Sequence, residues 1–162
     1  MITPFTIETS NALLEDLHYR LLHTRFPNEV GKDWQFGTDL GYLRSLCEYW
    51  QHDFDWPAQQ AKLNALPQFT TRIEDRQVHF IHQRSEREDA IPLLMTHGWP
   101  GSIAEFTEII PMLTSPEKFG ASQADAFHVI CPSIPGYGFS DAPSQEGFDQ
   151  KRVAEGHIEL MT

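Results

Sequence analysis

Apolar residues recur at helical spacing through residues 1–66, where three helices with short breaks are predicted. The first helix can be capped by Ser10 or Asn11, and its apolar stripe consists of Leu13, Leu14, Leu17 and Leu21. The helical pattern ends before Pro27, because proline disfavours a helical backbone in the residue that precedes it.

A second and a third helix are predicted between Thr38 and Pro67. Thr38 or Asp39 begins the second helix, whose apolar stripe consists of Leu43, Leu46, Cys47 and Trp50. Pro57 suits the first turn of the third helix, where its missing N–H costs no hydrogen bond. The whole segment is rich in aromatic residues and has no evident catalytic cluster, so packing is its expected role.

The periodicity changes after this segment and predicts β-strands. Residues 69–73 and 78–83 alternate in the manner of two strands joined by a polar turn. Residues 91–96 and 127–131 are apolar on both faces, which is typical of buried strands in a parallel sheet. The sequence therefore predicts an α/β fold that follows a helical segment.

A helix is predicted between the two buried strands. Ser102 and Glu105 have the spacing of a capping box, and Pro111 falls near the end of the apolar pattern that follows them. Strand, helix and strand within about 40 residues have the size of a right-handed βαβ unit. A further helix is predicted to begin at Gln150.

The charge balance excludes two classes of partner. Twelve basic residues against twenty-three acidic ones give a formal net charge of −11. Nucleic-acid binding needs a basic surface that displaces counterions, and adhesion to anionic membranes needs one too. We therefore expect neither nucleic acid nor a membrane surface as a partner.

The cysteines and histidines indicate no metal site. Cys47 and Cys131 form no C-x-x-C motif, and two buried free thiols are expected, with a disulfide as the alternative. His79 and His82 are the closest histidine pair, but a separation of three places them on opposite faces of a strand. No metal and no cofactor are predicted.

Two loops follow the predicted parallel strands, where open α/β sheets place their sites. One loop covers residues 97–102 and the other residues 132–140. Glycines in the first loop let the backbone turn sharply beside a ligand. The backbone N–H of Trp99 can then point into a pocket just before a helix N-terminus, which would form half of an oxyanion hole. A simple turn between strand and helix is the alternative.

The two loops together resemble the epoxide hydrolases of the α/β-hydrolase fold, above all the microsomal and juvenile-hormone type. They read His97-Gly98-Trp99-Pro100-Gly101-Ser102 and Pro132-Ser-Ile-Pro-Gly-Tyr-Gly-Phe-Ser140. The helical segment resembles the extra N-terminal segment of that type, for example at Phe26-Pro27 and Tyr49-Trp50. HG-x-P alone is shared with haloalkane dehalogenases, so its combination with the helical segment is the more specific signal.

The resemblance implies a mechanism and a set of site residues. An aspartate would attack an epoxide carbon, lid tyrosines would bind the epoxide oxygen, and a histidine oriented by an acidic residue would activate water to hydrolyse the ester. The Trp99 backbone N–H would serve the oxyanion of that second step, and the peptide bond to the next residue is expected to be cis. The other motif and pocket residues are His97, which is not the general base, Gly98, Pro100, Gly101, Tyr137 and Phe139.

The nucleophile elbow of such an enzyme has the form G-x-[nucleophile]-x-G and follows a strand, and neither G-x-S-x-G nor G-x-D-x-G occurs in residues 68–162. We therefore expect residues 1–67 to form the helical N-terminal segment of an epoxide hydrolase. Residues 68–162 are expected to form the N-terminal part of an incomplete α/β-hydrolase domain, truncated before the elbow. The chain alone is expected to be inactive.

Three interpretations stay open: part of an epoxide hydrolase acting on a small apolar epoxide, part of a related hydrolase such as a haloalkane dehalogenase, or a non-catalytic module that needs a partner chain. An incomplete sheet would expose a strand edge through which copies could self-associate. Residues 1–5 lack the start of a secretory signal, and no window approaches about 18 apolar residues. A soluble, cytoplasmic protein without a membrane anchor is expected.

Overall fold

A computed structural model describes residues 1–31 and 33–162, and these residues divide into two compact units. One unit comprises residues 8–60. The other comprises residues 1–7 together with 61–162. The second unit contains the sheet and both candidate loops.

Helices make up the unit of residues 8–60, as the apolar spacing predicted. Its helices are α1 (Asn11–Leu22), α2 (Leu40–His52) and the start of α3 (Trp56–Asn64). The caps resolve the alternatives left by the sequence, because Ser10 accepts a hydrogen bond from the first turn of α1 and Asp39 accepts one at 2.7 Å from the first turn of α2.

An apolar cleft of about 520 Å³ lies between α1 and α2. Leucine and aromatic side chains line it, among them Leu13, Leu17, Leu46, Trp50 and Trp56. No residue of either helix is buried, so the apolar stripes that predicted these helices remain accessible within the unit.

The other unit is built on a mixed sheet, which has five strands in the described residues. They are β1 (Thr3–Phe5), β2 (Gln68–Ile73), β3 (Arg76–Gln83), β4 (Ile91–Leu94) and β5 (Phe127–Pro132), in the spatial order β1-β2-β3-β5-β4. The first three neighbouring pairs are antiparallel, and β4 and β5 pair in parallel. The parallel pair was predicted, but the expectation that both of its strands are buried is wrong for β4, which lies at an edge of the described sheet and has no buried residue.

Strand β1 corrects the prediction that residues 1–66 are helical with short breaks. Thr3 pairs with Thr70 and Phe5 with Gln68, so the strand exists through hydrogen bonds to a partner more than 60 residues away. Just after this strand, the Ile7 backbone is also held by a distant residue, because it exchanges two hydrogen bonds of 2.9 Å with the Asn64 side chain. No local periodicity announces a strand of this length.

The core of this unit lies between the sheet and the segment that connects β4 to β5. Ile81, Val129 and Cys131 of the sheet pack against Ile103 and Ile110 of that segment. The helix predicted there is interrupted: a 3-10 helix covers Ile103–Phe106, and α4 covers Ile109–Thr114. Pro111 explains the break, because it lacks an N–H and is tolerated only in the first turn of a helix.

The last helix of the described residues, α5 (Gln150–Met161), packs near β2, and Asp149 caps it as an acceptor for the Arg152 N–H. A Cβ placed on Gly156 would meet Ile73 at an ordinary contact distance of 3.6 Å. None of the helices in the described residues is long and apolar enough to cross a membrane.

Candidate active site

The two candidate loops lie side by side because they follow the two parallel strands. Leu94 pairs with Ile130 near the carboxyl ends of β4 and β5, and the Met95 N–H extends the pairing with a 2.9 Å hydrogen bond to Ile130 O. Adjacent parallel strands end at the same edge of a sheet, which is where open α/β sheets place their sites. The structure therefore brings residues 97–102 and 132–140 together, as expected.

A tight turn carries the Trp-Pro pair of the first loop. The Gly101 N–H donates to Gly98 O at 2.7 Å, and the Trp99–Pro100 peptide bond is cis, as predicted. A cis proline at the third position of such a turn defines the type VI class. An added Cβ on Gly101 would lie 1.4 Å from the Glu105 carboxylate and 3.0 Å from Gly98 O, so a side chain here would have to displace Glu105.

The capping box predicted after the turn is present. Ser102 Oγ accepts from the Ala104 N–H at 3.2 Å, and the Glu105 carboxylate accepts from the Ser102 N–H at 3.2 Å. The capped element is only the short 3-10 helix, so few peptide dipoles are aligned behind the turn. The expected contribution of a helix N-terminus to this site is correspondingly small.

His97 joins the two loops through both nitrogens of its ring. Its Nε2 accepts the Ile134 N–H at 3.1 Å, so Nδ1 carries the proton and donates to Gly98 O at 3.2 Å. The residue is 3% exposed, and its ring meets the Tyr137 ring edge-on with centroids 5.7 Å apart. With both nitrogens bound to backbone groups, His97 holds the loops in register.

Trp99 presents the group on which the chemical hypothesis depends. Among the described residues, none accepts a hydrogen bond from the Trp99 backbone N–H. Its indole is 81% exposed at the open side of the turn. The turn thus offers one free backbone donor and one apolar surface at the edge where the strands end. The oxyanion role of this N–H stays a prediction.

Tyr137 and Phe139 were both predicted to line the pocket, and the structure separates them. Tyr137 packs against His97 in the first loop. Phe139 packs instead against His79 of β3 and Phe5 of β1, with ring centroids 5.2 Å and 5.3 Å away. A place for Tyr137 beside the turn follows from these contacts, whereas the pocket role of Phe139 stays a prediction.

In the sequence, His79 was considered only as a possible metal ligand and rejected in that role, and its surroundings were not predicted. Its ring is buried between Ser133 Oγ, 2.9 Å from Nδ1, and Gln68 Oε1, 3.0 Å from Nε2. Burial lowers the pKa of His79 from 6.5 to about 4, so the ring is neutral near pH 7. The one available signal was a histidine flanked by the apolar residues Val78 and Phe80 in a predicted strand.

A third imidazole borders the site from α5. Burial, and then the neighbouring His97, lower the pKa of His157 below its usual value. Its Nε2 is buried and has no hydrogen-bond partner among the described residues. Sequence reasoning did not single out this residue, because a histidine on a helix carries no signal of what packs against it.

The cysteines offer no nucleophile here. Cys131 is fully buried in β5, and burial raises the pKa of its thiol to about 12, so the thiolate is not formed near pH 7. Cys47 is also a free cysteine and lies in the other unit, but it is only half-buried, so the expectation of two buried thiols is wrong for Cys47. In residues 1–31 and 33–162, no group of three His, Cys, Asp or Glu side chains is placed to hold a metal ion.

The parallel β4–β5 pair, the capped turn after β4 and the two loops at one sheet edge define an α/β-hydrolase fold. A protein-family model of that fold matches residues 91–157. A second model, described as the epoxide hydrolase N terminus, matches residues 2–106, which is more than half of the chain. The chain therefore belongs to the epoxide hydrolase N-terminal family, and the resemblance predicted from the loops is confirmed.

Known proteins agree with this assignment. Epoxide hydrolase 1 of Oryctolagus cuniculus is 44% identical over 165 residues, covering 99% of this chain and 36% of that protein. The structure of Aspergillus niger epoxide hydrolase matches with a TM-score of 0.85 and 34% identity, covering 99% of this chain and 42% of the other. The juvenile hormone epoxide hydrolase of Bombyx mori matches with a TM-score of 0.86 and 34% identity, covering 99% and 38%. The chain spans about two fifths or less of these relatives.

Proposed function

We propose that this chain serves epoxide hydrolysis, the conversion of an epoxide and water to a vicinal diol, by supplying the N-terminal segment and one oxyanion donor of the enzyme. The observation that carries the proposal is the Trp99 N–H, which has no acceptor among the described residues and lies in a turn held beside the β5 loop by His97. A backbone donor fixed in this way can stabilise the oxyanion that forms when water attacks an ester intermediate.

The substrate class we propose is a small apolar or aromatic epoxide. Trp99 is exposed in the turn, and Tyr137 packs against His97 of the same loop. Aromatic surfaces of this kind bury apolar ligand groups without forming further hydrogen bonds. No step in the proposal uses a metal or a cofactor.

The first experiment incubates the purified 162-residue chain with styrene oxide and measures diol formation. No diol above the uncatalysed background is expected, because residues 68–162 contain no G-x-D-x-G or G-x-S-x-G elbow. The G-x-D-x-G at residues 37–41 lies in the helical segment, where its Asp39 caps α2. Clear turnover, reproduced in a sample that passes a second purification step, would contradict the proposal that this chain supplies an oxyanion donor but not the nucleophile.

The second experiment reads the coding sequence on both sides of these codons and compares substrates. An aspartate elbow within about 40 codons downstream is expected, since a βα unit takes about 30 residues. A serine elbow would instead identify an esterase-type enzyme. Because an aspartate elbow also serves haloalkane dehalogenation, the encoded protein is assayed with styrene oxide and with 1-chlorohexane in parallel. Faster turnover of the haloalkane would refute the proposal that the substrate is an epoxide.

We further propose that copies of this chain can associate through β4. This strand lies at an edge of the described sheet, and Ile91 on it is 66% exposed. Light scattering is expected to detect oligomers that Ile91→Lys reduces, because a charge blunts strand pairing. Leu22→Lys is the matched control, since Leu22 has the same exposure in α1 and no place in the sheet. A monomer at all concentrations would refute this proposal.

A further inference from the structure

Three buried side chains form a hydrogen-bonded row beneath the second loop. Gln68 of β2, His79 of β3 and Ser133 after β5 are at most 4% exposed, and His79 lies in the middle of the row. We call this group the His79 network. It crosses from the second strand of the sheet to the residue that begins the loop of the candidate site.

The donors and acceptors of the His79 network run in one direction. Gln68 Nε2 donates to Leu63 O at 2.8 Å, which leaves Gln68 Oε1 as the acceptor facing the ring. Nε2 of His79 must therefore carry the ring proton, and Nδ1 must accept the hydroxyl proton of Ser133. This tautomer is opposite to that of His97, where Nδ1 carries the proton.

The network ends where the site begins. Ser133 is bound to His79 twice, through its hydroxyl and through its backbone N–H, which donates to His79 O at 2.8 Å. The very next N–H, that of Ile134, donates to His97. The peptide unit between Ser133 and Ile134 thus connects the two histidines. Ser133 is held by His79, and Ile134 binds His97, whose ring also binds Gly98 O in the turn of Trp99.

Ser140 closes the loop onto the same strand. Its hydroxyl accepts the His79 N–H at 2.9 Å and donates to Ser133 O at 2.8 Å. Both ends of the loop are therefore held on His79. Gly138 leaves the space that this arrangement needs, because its φ is +52° and an added Cβ would lie 2.7 Å from Ser133 Oγ.

We propose that His79 is a positioning residue for the oxyanion donor: by holding Ser133, it sets the Ile134 N–H against His97 and so places the turn that carries the Trp99 N–H. The two ring hydrogen bonds of His79 fix its tautomer and connect β2 to the loop after β5, so the ring links two chain segments as well as filling space in the core. The role of the Trp99 donor rests on the proposed function, whereas the mechanical connection from His79 to Trp99 does not.

The test uses the 162-residue chain labelled with 15N, and it needs no turnover. The imidazole 15N shifts of the unmodified protein are expected to report the Nε2–H tautomer for His79 and the Nδ1–H tautomer for His97. Ser133→Ala is then compared with Thr114→Val, which removes a buried hydroxyl that binds only Ile110 O within α4.

Ser133→Ala is expected to raise the exchange rate of the Ile134 amide about fivefold beyond the change in global stability, since one ordinary hydrogen bond is lost from its anchor. The Trp99 amide resonance is expected to shift as well. Thr114→Val is expected to change global stability and to leave both amides at their original shifts.

Two results would overturn the proposal. One is the Nδ1–H tautomer at His79 in the unmodified chain, a measurement that stands even when Ser133→Ala does not fold. The other is a Ser133→Ala spectrum in which Ile134 and Trp99 move no more than in Thr114→Val. Faster turnover of 1-chlorohexane than of styrene oxide by the encoded protein would refute the proposed function and leave these readouts unaffected.

Discussion

Acid should destabilise this protein through His79 in a predictable way. The pKa of the buried ring is about 4, against 6.5 in an unfolded chain. Between these two pKa values the unfolded state binds a proton that the folded state does not bind. The free energy of unfolding therefore falls as the pH is lowered through this range. The contribution is intact above pH 6.5, is lost progressively as the pH falls to 4, and is fully lost below that value.

The size of this effect follows from the difference between the two pKa values. One pKa unit corresponds to about 1.4 kcal/mol, so the complete loss amounts to about 3 kcal/mol. At pH 5 the unfolded imidazole is almost fully protonated while the folded ring is still mostly neutral. About 2 kcal/mol is therefore expected to be lost between pH 7.5 and pH 5, a large part of the stability of a small domain.

Urea unfolding at pH 7.5, 6 and 5 measures this loss, with His79→Gln as the matched variant. Glutamine is polar and does not titrate, so its free energy of unfolding should fall less with acid, by about 2 kcal/mol at pH 5. Carboxylates, His82 and His157 titrate in both proteins and cancel in the difference. Parallel pH profiles for the two proteins would refute the assignment of the acid sensitivity to His79.

Three substitutions test other parts of the structure. Gly138→Ala forces a side chain into a positive φ beside Ser133 and should cost about 1–3 kcal/mol in urea unfolding; an unchanged midpoint would contradict the described loop. Gly101→Ala should displace the Glu105 carboxylate from the Ser102 N–H and cost about 1 kcal/mol, which a double variant with Glu105→Ala should not increase further. Asp39→Ala removes the cap of α2 and should cost about 1 kcal/mol of local stability, measured as faster exchange of the Tyr42 amide; unchanged exchange would show that the cap is dispensable.

The helices and most strands could be predicted because the residue pattern that forms each of them lies within its own segment of the chain. The stripes of α1 and α2, the capping residues and the apolar runs of β4 and β5 are local patterns that tertiary structure preserved. Strand β1 could not be predicted, since its three residues become a strand only by pairing with β2. The interrupted helix after Ser102 was predicted as continuous because the effect of Pro111 depends on which turn it occupies.

The candidate site also combines features that the sequence predicted with features that it did not. The loop motif and its glycines were read from residues adjacent in sequence, and the cis bond before Pro100 was implied by the family resemblance; the structure has the turn and the cis bond. The partners of the two histidines were not predictable. Ile134 lies 37 residues from His97, and Ser133 lies 54 residues from His79, so only the sheet brings them within hydrogen-bonding distance.

By itself, the sequence determined the family, the α/β class, the helical first segment and the turn that presents the Trp99 N–H, because propensity, capping and turn chemistry act over a few neighbouring residues. Tertiary structure alone decided that β1 completes the sheet, that Phe139 packs on His79, and which nitrogen of each buried histidine carries the proton. Those outcomes depend on which distant groups share a buried space. In such a space every polar atom must find a partner among the neighbours that folding provides.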